Sequence, residues 1–123
     1  MRKTILIFFF AGIFTLQVNA DSIWPFNSSY VMIKQLCKNS ADIAERAARS
    51  RDKQYTLSDM LDGYSDPAWN KDPIDRLHKQ VYIQATKLAF RNKSVSPDTI
   101  YDMQYDICYA KKEQFKKIIS RMD

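Results

Sequence analysis

The chain is predicted to be all-α, a small bundle of three long helices plus one short helix, tied by one disulfide. Three observations carry this expectation. Glycine is nearly absent: of 123 residues only Gly12 and Gly63 are glycine, and Gly12 lies in an apolar leader. Tight hairpins, phosphate-cradling loops and nucleotide fingerprints depend on glycine for positive φ or close backbone approach, and one remaining glycine builds almost none of them. Apolar residues also recur at helical spacing in three separate stretches, each preceded by a capping residue. Finally, the only two cysteines, Cys37 and Cys108, stand far apart in a chain whose opening reads as an export signal.

That opening has Arg2 and Lys3, an apolar stretch from Ile5 to Phe14, and Val18-Asn19-Ala20, small side chains where a signal peptidase reads. Cleavage after Ala20 leaves a single helical domain over 21–123, in the periplasm or outside a bacterial cell. An oxidising compartment turns an even cysteine count into a disulfide framework, and two cysteines allow one pairing, Cys37 with Cys108. Losing Arg2 and Lys3 from 19 basic residues leaves 17 against 14 acidic, a net charge of +3. So mild an excess, with signs interleaved along the chain, gives nucleic-acid binding little support. After the leader no apolar run approaches the roughly 20 residues of a membrane span.

The elements follow in order. Asp21–Ser29, with Trp24-Pro25-Phe26, reads as an irregular lead, and Ser28 or Ser29 as the cap of a first helix running to about Asp52. Its apolar stripe is Ile33, Leu36, Cys37, Ala41, Ala44, Ala47 and Ala48, the alanines allowing close approach of a neighbour. Thr56 and Asp59 have capping-box spacing and open a short helix, Leu57 to Asp62, that Gly63 is expected to end. The segment Tyr64–Lys71 is a loop by composition. Asp72-Pro73 then starts a helix with the stripe Ile74, Leu77, His78, Val81, Ala85, Leu88 and Ala89, stopping near Asn92. Ser96-Pro97-Asp98 repeats the start signal for one last helix to about Ser120. A Cys37–Cys108 bond makes the first and last helices neighbours, with Ile33, Ala41, Tyr105 and Ile107 packed around it.

Catalytic chemistry has few candidates. His78 is the only histidine; Asp75, one turn earlier, is placed to orient it as a base. It lies at the edge of an apolar stripe with no nucleophile placed nearby by any motif, so it is expected to cover the core. Asp59 with Asp62, and Asp98 with Asp102, are paired carboxylates, but glycosidase-like chemistry needs two acids facing one cleft. Both pairs read as solvated helix faces. A catalytic dithiol favours Cys-x-x-Cys spacing, which this chain lacks. No metal-ligand pattern and no cofactor motif is present in the sequence. Asn27 and Asn92 match the glycosylation pattern, without meaning in a bacterial host.

Surface chemistry is richer. Seven tyrosines are present, and Tyr101, Tyr105 and Tyr109 align on the last helix. With Trp69 they form a candidate partner surface, since tyrosine and tryptophan are enriched in protein contacts, against the plainer reading of a wide core face with phenol oxygens reaching water. The tail, with Lys111, Lys112, Phe115, Lys116 and Lys117, is basic and amphipathic, Phe115, Ile118, Ile119 and Met122 sharing a face. It is a candidate for anionic lipid or an acidic partner, against the plainer reading of cations at a helix C-terminus.

The stretches Cys37-Lys-Asn-Ser-Ala-Asp-Ile-Ala-Glu-Arg-Ala-Ala-Arg-Ser-Arg-Asp and Ser96-Pro-Asp-Thr-Ile-Tyr through Tyr105-Asp-Ile-Cys108 resemble a loose group of small exported two-cysteine helical bacterial proteins of unknown function. The resemblance covers most of the chain after the leader and implies fold and compartment, with no site residues. Periplasmic acid-stress chaperones and helical immunity proteins share the general format of size, helices and disulfide. The expectation is a non-catalytic, exported protein that binds another protein, as an inhibitor- or immunity-type module. An acid-stress holdase and a membrane-surface protein are the alternatives.

Overall fold

A computed structural model describes residues 20–121, with side chains from Ser29 onward. The expected signal, residues 1–20, lies outside the described residues except for Ala20, and so does Met122. The order is α1 (Ala20–Asp52), α2 (Leu57–Leu61), two single-turn 3₁₀ segments (Asp62–Ser65 and Pro67–Asn70), α3 (Pro73–Arg91), α4 (Pro97–Ala110) and α5 (Lys112–Ser120). Among the described residues there is no strand, and the regular structure is all helical. It divides into two compact units, Met1–Val31 and Met32–Asp123, and the second carries the core.

The disulfide is present. Cys37 and Cys108 are bonded, with Cα atoms 5.4 Å apart across a separation of 71 residues. The buried Gln104 amide donates to Ser40 Oγ at 3.2 Å, and Arg49 lies 3.7 Å from Asp98. These three links run in opposite chain directions, so α1 and α4 are antiparallel neighbours.

The α1 stripe is buried as its spacing predicts: Ile33, Cys37, Ala41, Ala44, Ala47 and Ala48 are fully buried and Leu36 is 3% exposed. Ala44, Ala47 and Ala48 meet Ala85 and Ala89 of α3 and Ile100 of α4, with Met60, Phe90 and Met103 around them. Small side chains on facing helices bring the backbones close, which is how so short a domain excludes water. On α3 the buried set is Leu77, Val81, Tyr82, Ala85, Thr86, Leu88 and Ala89. Tyr82 and Thr86 widen the expected stripe, while Ile74 and His78 form its half-buried edge. The Thr86 hydroxyl donates to Tyr82 O at 2.9 Å, a local bond that lets a polar side chain be buried.

The start signals behave as read. Thr56 and Asp59 form a reciprocal capping box. Asp72 and Ser96 accept from the backbone of Asp75 and Thr99, each followed by a proline at the start of its helix.

Three boundaries differ from expectation. First, α1 begins at Ala20, so Trp24-Pro25-Phe26 is helical and Ser28 and Ser29 stand inside the helix. A capping side chain starts a helix only where the preceding backbone is non-helical, and here the helix runs on through Pro25, against that residue's usual preference. Second, Gly63 does not end α2 through a left-handed residue. It lies in the first 3₁₀ turn, and its φ is not positive. The left-handed position is Gln54, φ 74°, after α1. There Tyr55 N–H donates to Ser50 O and Gln54 N–H to Arg51 O, the paired bonds of a Schellman motif. Third, the last helix is two. Lys111, at φ −96° and ψ 14°, takes a 3₁₀-type bond to Cys108 O and separates α4 from α5. No Pro or Gly marks the break. It swings Phe115, 5% exposed, into the recess beside Leu77, Val81 and Cys108. Burying one phenylalanine is worth about 2 kcal/mol, more than one distorted helical bond costs.

Arg51 extends the alanine stripe one turn beyond Ala48. Its guanidinium donates to Ala89 O at 2.7 Å, Asn92 O at 2.8 Å and Val95 O at 2.9 Å. The side chain is 8% exposed and pairs with Asp52 at 2.9 Å. One side chain from α1 thus caps the C-terminal end of α3 and holds the turn into α4.

Candidate functional site

The outer face of α4 is built by its four-residue register. Ile100, Gln104 and Cys108 form an inner row, 0–2% exposed. One position on, Tyr101, Tyr105 and Tyr109 form a half-buried row, and beyond it Asp98, Asp102 and Asp106 are exposed. The inner row anchors the tyrosines, because Cys108 is covalently fixed to α1 between Tyr105 and Tyr109.

Within the row the Tyr105 and Tyr109 rings stack, centroids 6.0 Å apart at 23°. The Lys112 ammonium lies 4.8 Å from the Tyr109 centroid, a cation–π contact that carries the row past the break at Lys111. At the other end Tyr101 sits in a recess of about 320 Å³ lined by Glu45, Asp98, Tyr101 and Asp102. Partial burial, then the carboxylates of Asp42 and Glu45, Tyr105 and Asp102, hold its phenol above the usual tyrosine pKa. It stays a neutral hydrogen-bonding group beside a negative field.

Apart from Asp106, charge is therefore sorted along the row. Asp42, Glu45, Asp98 and Asp102 surround Tyr101, with Arg49 bridging Glu45 at 2.6 Å and Asp98 at 3.7 Å. In the α1–α4 register the exposed Lys34 and Lys38 precede Asp42 by two and one turns, toward the Cys108 end, where Lys111 and Lys112 also lie.

Trp69 is elsewhere. Its ring meets Tyr64 edge-on at 5.2 Å and Tyr82 at 6.0 Å, and its indole N–H donates to Gly63 O at 3.2 Å. It pins the 3₁₀ turns onto α3, and its aromatic contacts are with none of the α4 tyrosines. Burial first, then Tyr82, raises the Tyr64 phenol's pKa, opposed by a hydrogen bond with Thr86 and by Arg46.

His78 is half-buried with its ring 5.7 Å from Tyr82. Burial pushes its pKa below the usual value, against the opposing pull of Asp75 and Asp72. Asp59 is committed to its helix start: it accepts from Thr56 N–H at 3.0 Å, and this bond lowers its pKa. A general acid of a carboxylate pair needs the opposite shift. Among the described residues no group of three or more His, Cys, Asp or Glu side chains gathers to hold a metal, and no helix is long and apolar enough to cross a membrane.

The tail is divided by burial. Lys111 and Lys117 are exposed and Lys112 and Lys116 half-buried. Phe115, read from the sequence as part of an apolar surface face, is a core residue, because the break at Lys111 turns it toward Leu77 and Val81. The recess there, about 100 Å³, is rimmed by the amides of Gln80, Gln84 and Gln114.

Two residues that sequence reasoning passed over hold the interior of the site. Gln104 is fully buried and donates to Ser40 Oγ and, at 2.8 Å, to Gln84 Oε1, joining α1, α3 and α4; its own Oε1 has no partner. A polar residue midway along the row Ile100–Gln104–Cys108 was the available signal. Arg51 was signalled by its place at the end of the alanine stripe.

Comparison with protein-family models, with curated proteins and with solved structures finds no match.

Proposed function

We propose that this is an exported, non-catalytic binding module that engages another protein through the tyrosine row of α4. The observation that carries the reading is the row itself: three half-buried tyrosines with sorted charge, on a helix fixed by a disulfide from its inner side. Rigid tyrosines present large contact area and a hydrogen-bonding tip while losing little side-chain entropy on binding. Pre-fixing their helix removes a further ordering cost. Asp59 held in its cap and His78 against Tyr82 favour a non-catalytic role. The resemblance to small exported two-cysteine proteins favours the compartment. A holdase or a lipid-surface role is less supported. With Phe115 buried, the tail offers Ile118 and Ile119, both half-buried, as its apolar surface.

The test is chemical cross-linking in a periplasmic extract followed by mass spectrometry, with wild type, Tyr101→Ala and Tyr105→Ala. A cross-linked species formed by wild type and lost in both variants, each with an unchanged helical spectrum, supports the row. A species that persists undiminished in both variants overturns it.

A further inference from the structure

We propose that the protein seated on the tyrosine row is a second copy of this chain, the two α4 helices packing antiparallel about a twofold axis at Tyr105. The proposal rests on the binding reading above and deepens it by naming the partner.

The row is palindromic in spacing and opposite in charge. Tyr101 and Tyr109 each lie four residues from Tyr105, and Asp98 and Lys112 each lie seven. A twofold axis through Tyr105 reverses α4, so it sets Tyr101 opposite Tyr109 of the other copy and Asp98 opposite its Lys112. A C2 interface must be self-complementary, with residue i meeting j and j meeting i, and these five positions meet that condition.

The side chains are disposed for it. Asp98 has a side chain 90% exposed and, among the described residues, a long contact to Arg49 at 3.7 Å. Lys112 is held over the Tyr109 ring, 4.8 Å from its centroid, so its ammonium already stands on the row. The acidic recess around Tyr101, about 320 Å³, is the receptor for that ammonium from the second copy. The charge sorting on α1 has the same sense. Asp42 and Glu45 flank the Tyr101 end, and Lys34 and Lys38 stand toward the Tyr109 end, so reversal sets acid against base there too. In a parallel arrangement every one of these groups would face its own kind. One helix face covers less than the roughly 800 Å² per partner of a standard interface, so the dimer is weak and concentration-dependent.

The experiment is sedimentation velocity over a concentration series, on protein with its disulfide intact. Wild type is expected to pass from monomer to dimer, and to fall back as salt rises. Asp98→Lys alone and Lys112→Glu alone each put like charges opposite one another twice, and each weakens association about tenfold or more. An equimolar mixture of the two variants restores both pairs and should regain dimer, as should the double variant D98K/K112E. Circular dichroism checks that each variant is folded, and the mixture reads the pairing itself, independently of any loss of stability.

Wild type that remains monomeric at the highest concentration, or a mixture no more associated than its components, overturns the proposal. That outcome differs from failure of the binding reading, which is decided by a cross-linked species that survives Tyr101→Ala and Tyr105→Ala. A monomer whose cross-link to a different protein is lost in those variants assigns the row to that protein.

Discussion

Replacing Arg51 by methionine should destabilise the domain by about 3 kcal/mol. The guanidinium is 8% exposed and supplies three bonds to carbonyls, those of Ala89, Asn92 and Val95, at 2.7–2.9 Å. Hydrogen bonds from a charged donor contribute about 1.5–3 kcal/mol each, so the three would sum to roughly 5–9 kcal/mol. Those values already include exchange with water, but the three bonds share one charge and one side chain, so they do not add in full, and about 3 kcal/mol is the expected loss. Methionine also keeps much of the apolar stem, so lost packing adds little. A loss of about 3 kcal/mol is a large part of the roughly 5–15 kcal/mol of an ordinary domain. Arg51→Lys should recover little of it, because a single ammonium on a flexible stem does not reproduce a planar fork aimed at three carbonyls. Urea denaturation followed by circular dichroism measures the loss as a lower midpoint at unchanged slope. Hydrogen exchange should rise first at the end of α3 and in the turn to Ser96. A loss under about 1 kcal/mol, or exchange rising evenly over all helices, would refute the reasoning.

Cys37→Ser with Cys108→Ser should cost about 4 kcal/mol, from the 71-residue separation in the chain-entropy account, seen as a lower urea midpoint than that of the oxidised wild type. A change under about 1 kcal/mol would place the stabilisation elsewhere. Gln54→Gly should stabilise by about 0.5–1 kcal/mol in the same measurement, because a left-handed φ of 74° strains any residue with a Cβ while glycine adopts it freely. An unchanged or lower midpoint would count against the strain. His78, whose pKa is lowered by burial, contributes stability that is fully present above its unfolded value of 6.5 and is lost as pH falls below it toward the folded pKa. His78→Gln should flatten the stability profile in that window, and an equally steep fall in the variant would assign the loss to other groups. Asp59, its pKa lowered by Thr56, acts in a separate and more acid window, below 3.8, so the two titrations are separable.

Local chemistry was legible where it acts over four residues or fewer. The capping box at Thr56 and Asp59, the Asp72-Pro73 and Ser96-Pro97 starts and the α1 stripe are settled by neighbours in sequence, and each occurs as read. What stayed hidden is decided across the fold. The break at Lys111 has no breaker residue; its cause is the site that Leu77 and Val81 of α3 offer to Phe115. The left-handed residue fell on Gln54 rather than Gly63 because the chain must turn there to bring α2 onto the core through Met60. Arg51 looked like one more cation in a helix's last turn, and only the approach of α3 and α4 makes it a cap.

The same distinction bears on the tyrosine row. Its spacing was visible in the sequence, but spacing alone did not say whether Tyr101, Tyr105 and Tyr109 face the core. The interior beneath α4 is filled by Ile100, Gln104 and Cys108, and Gln104 spends its amide donors on Ser40 and Gln84. A row one residue round the helix from a filled interior cannot be drawn further in, because the inner row already occupies that space at crystal-like density. The phenols are thus left partly in solvent by geometry. Trp69 shows the contrast: its ring and its N–H are both engaged, by Tyr64, Tyr82 and Gly63. Removing Trp69 should therefore loosen the 3₁₀ turns and lower stability. Removing Tyr105, half-buried and stacked on Tyr109, should cost less stability than that and act on binding.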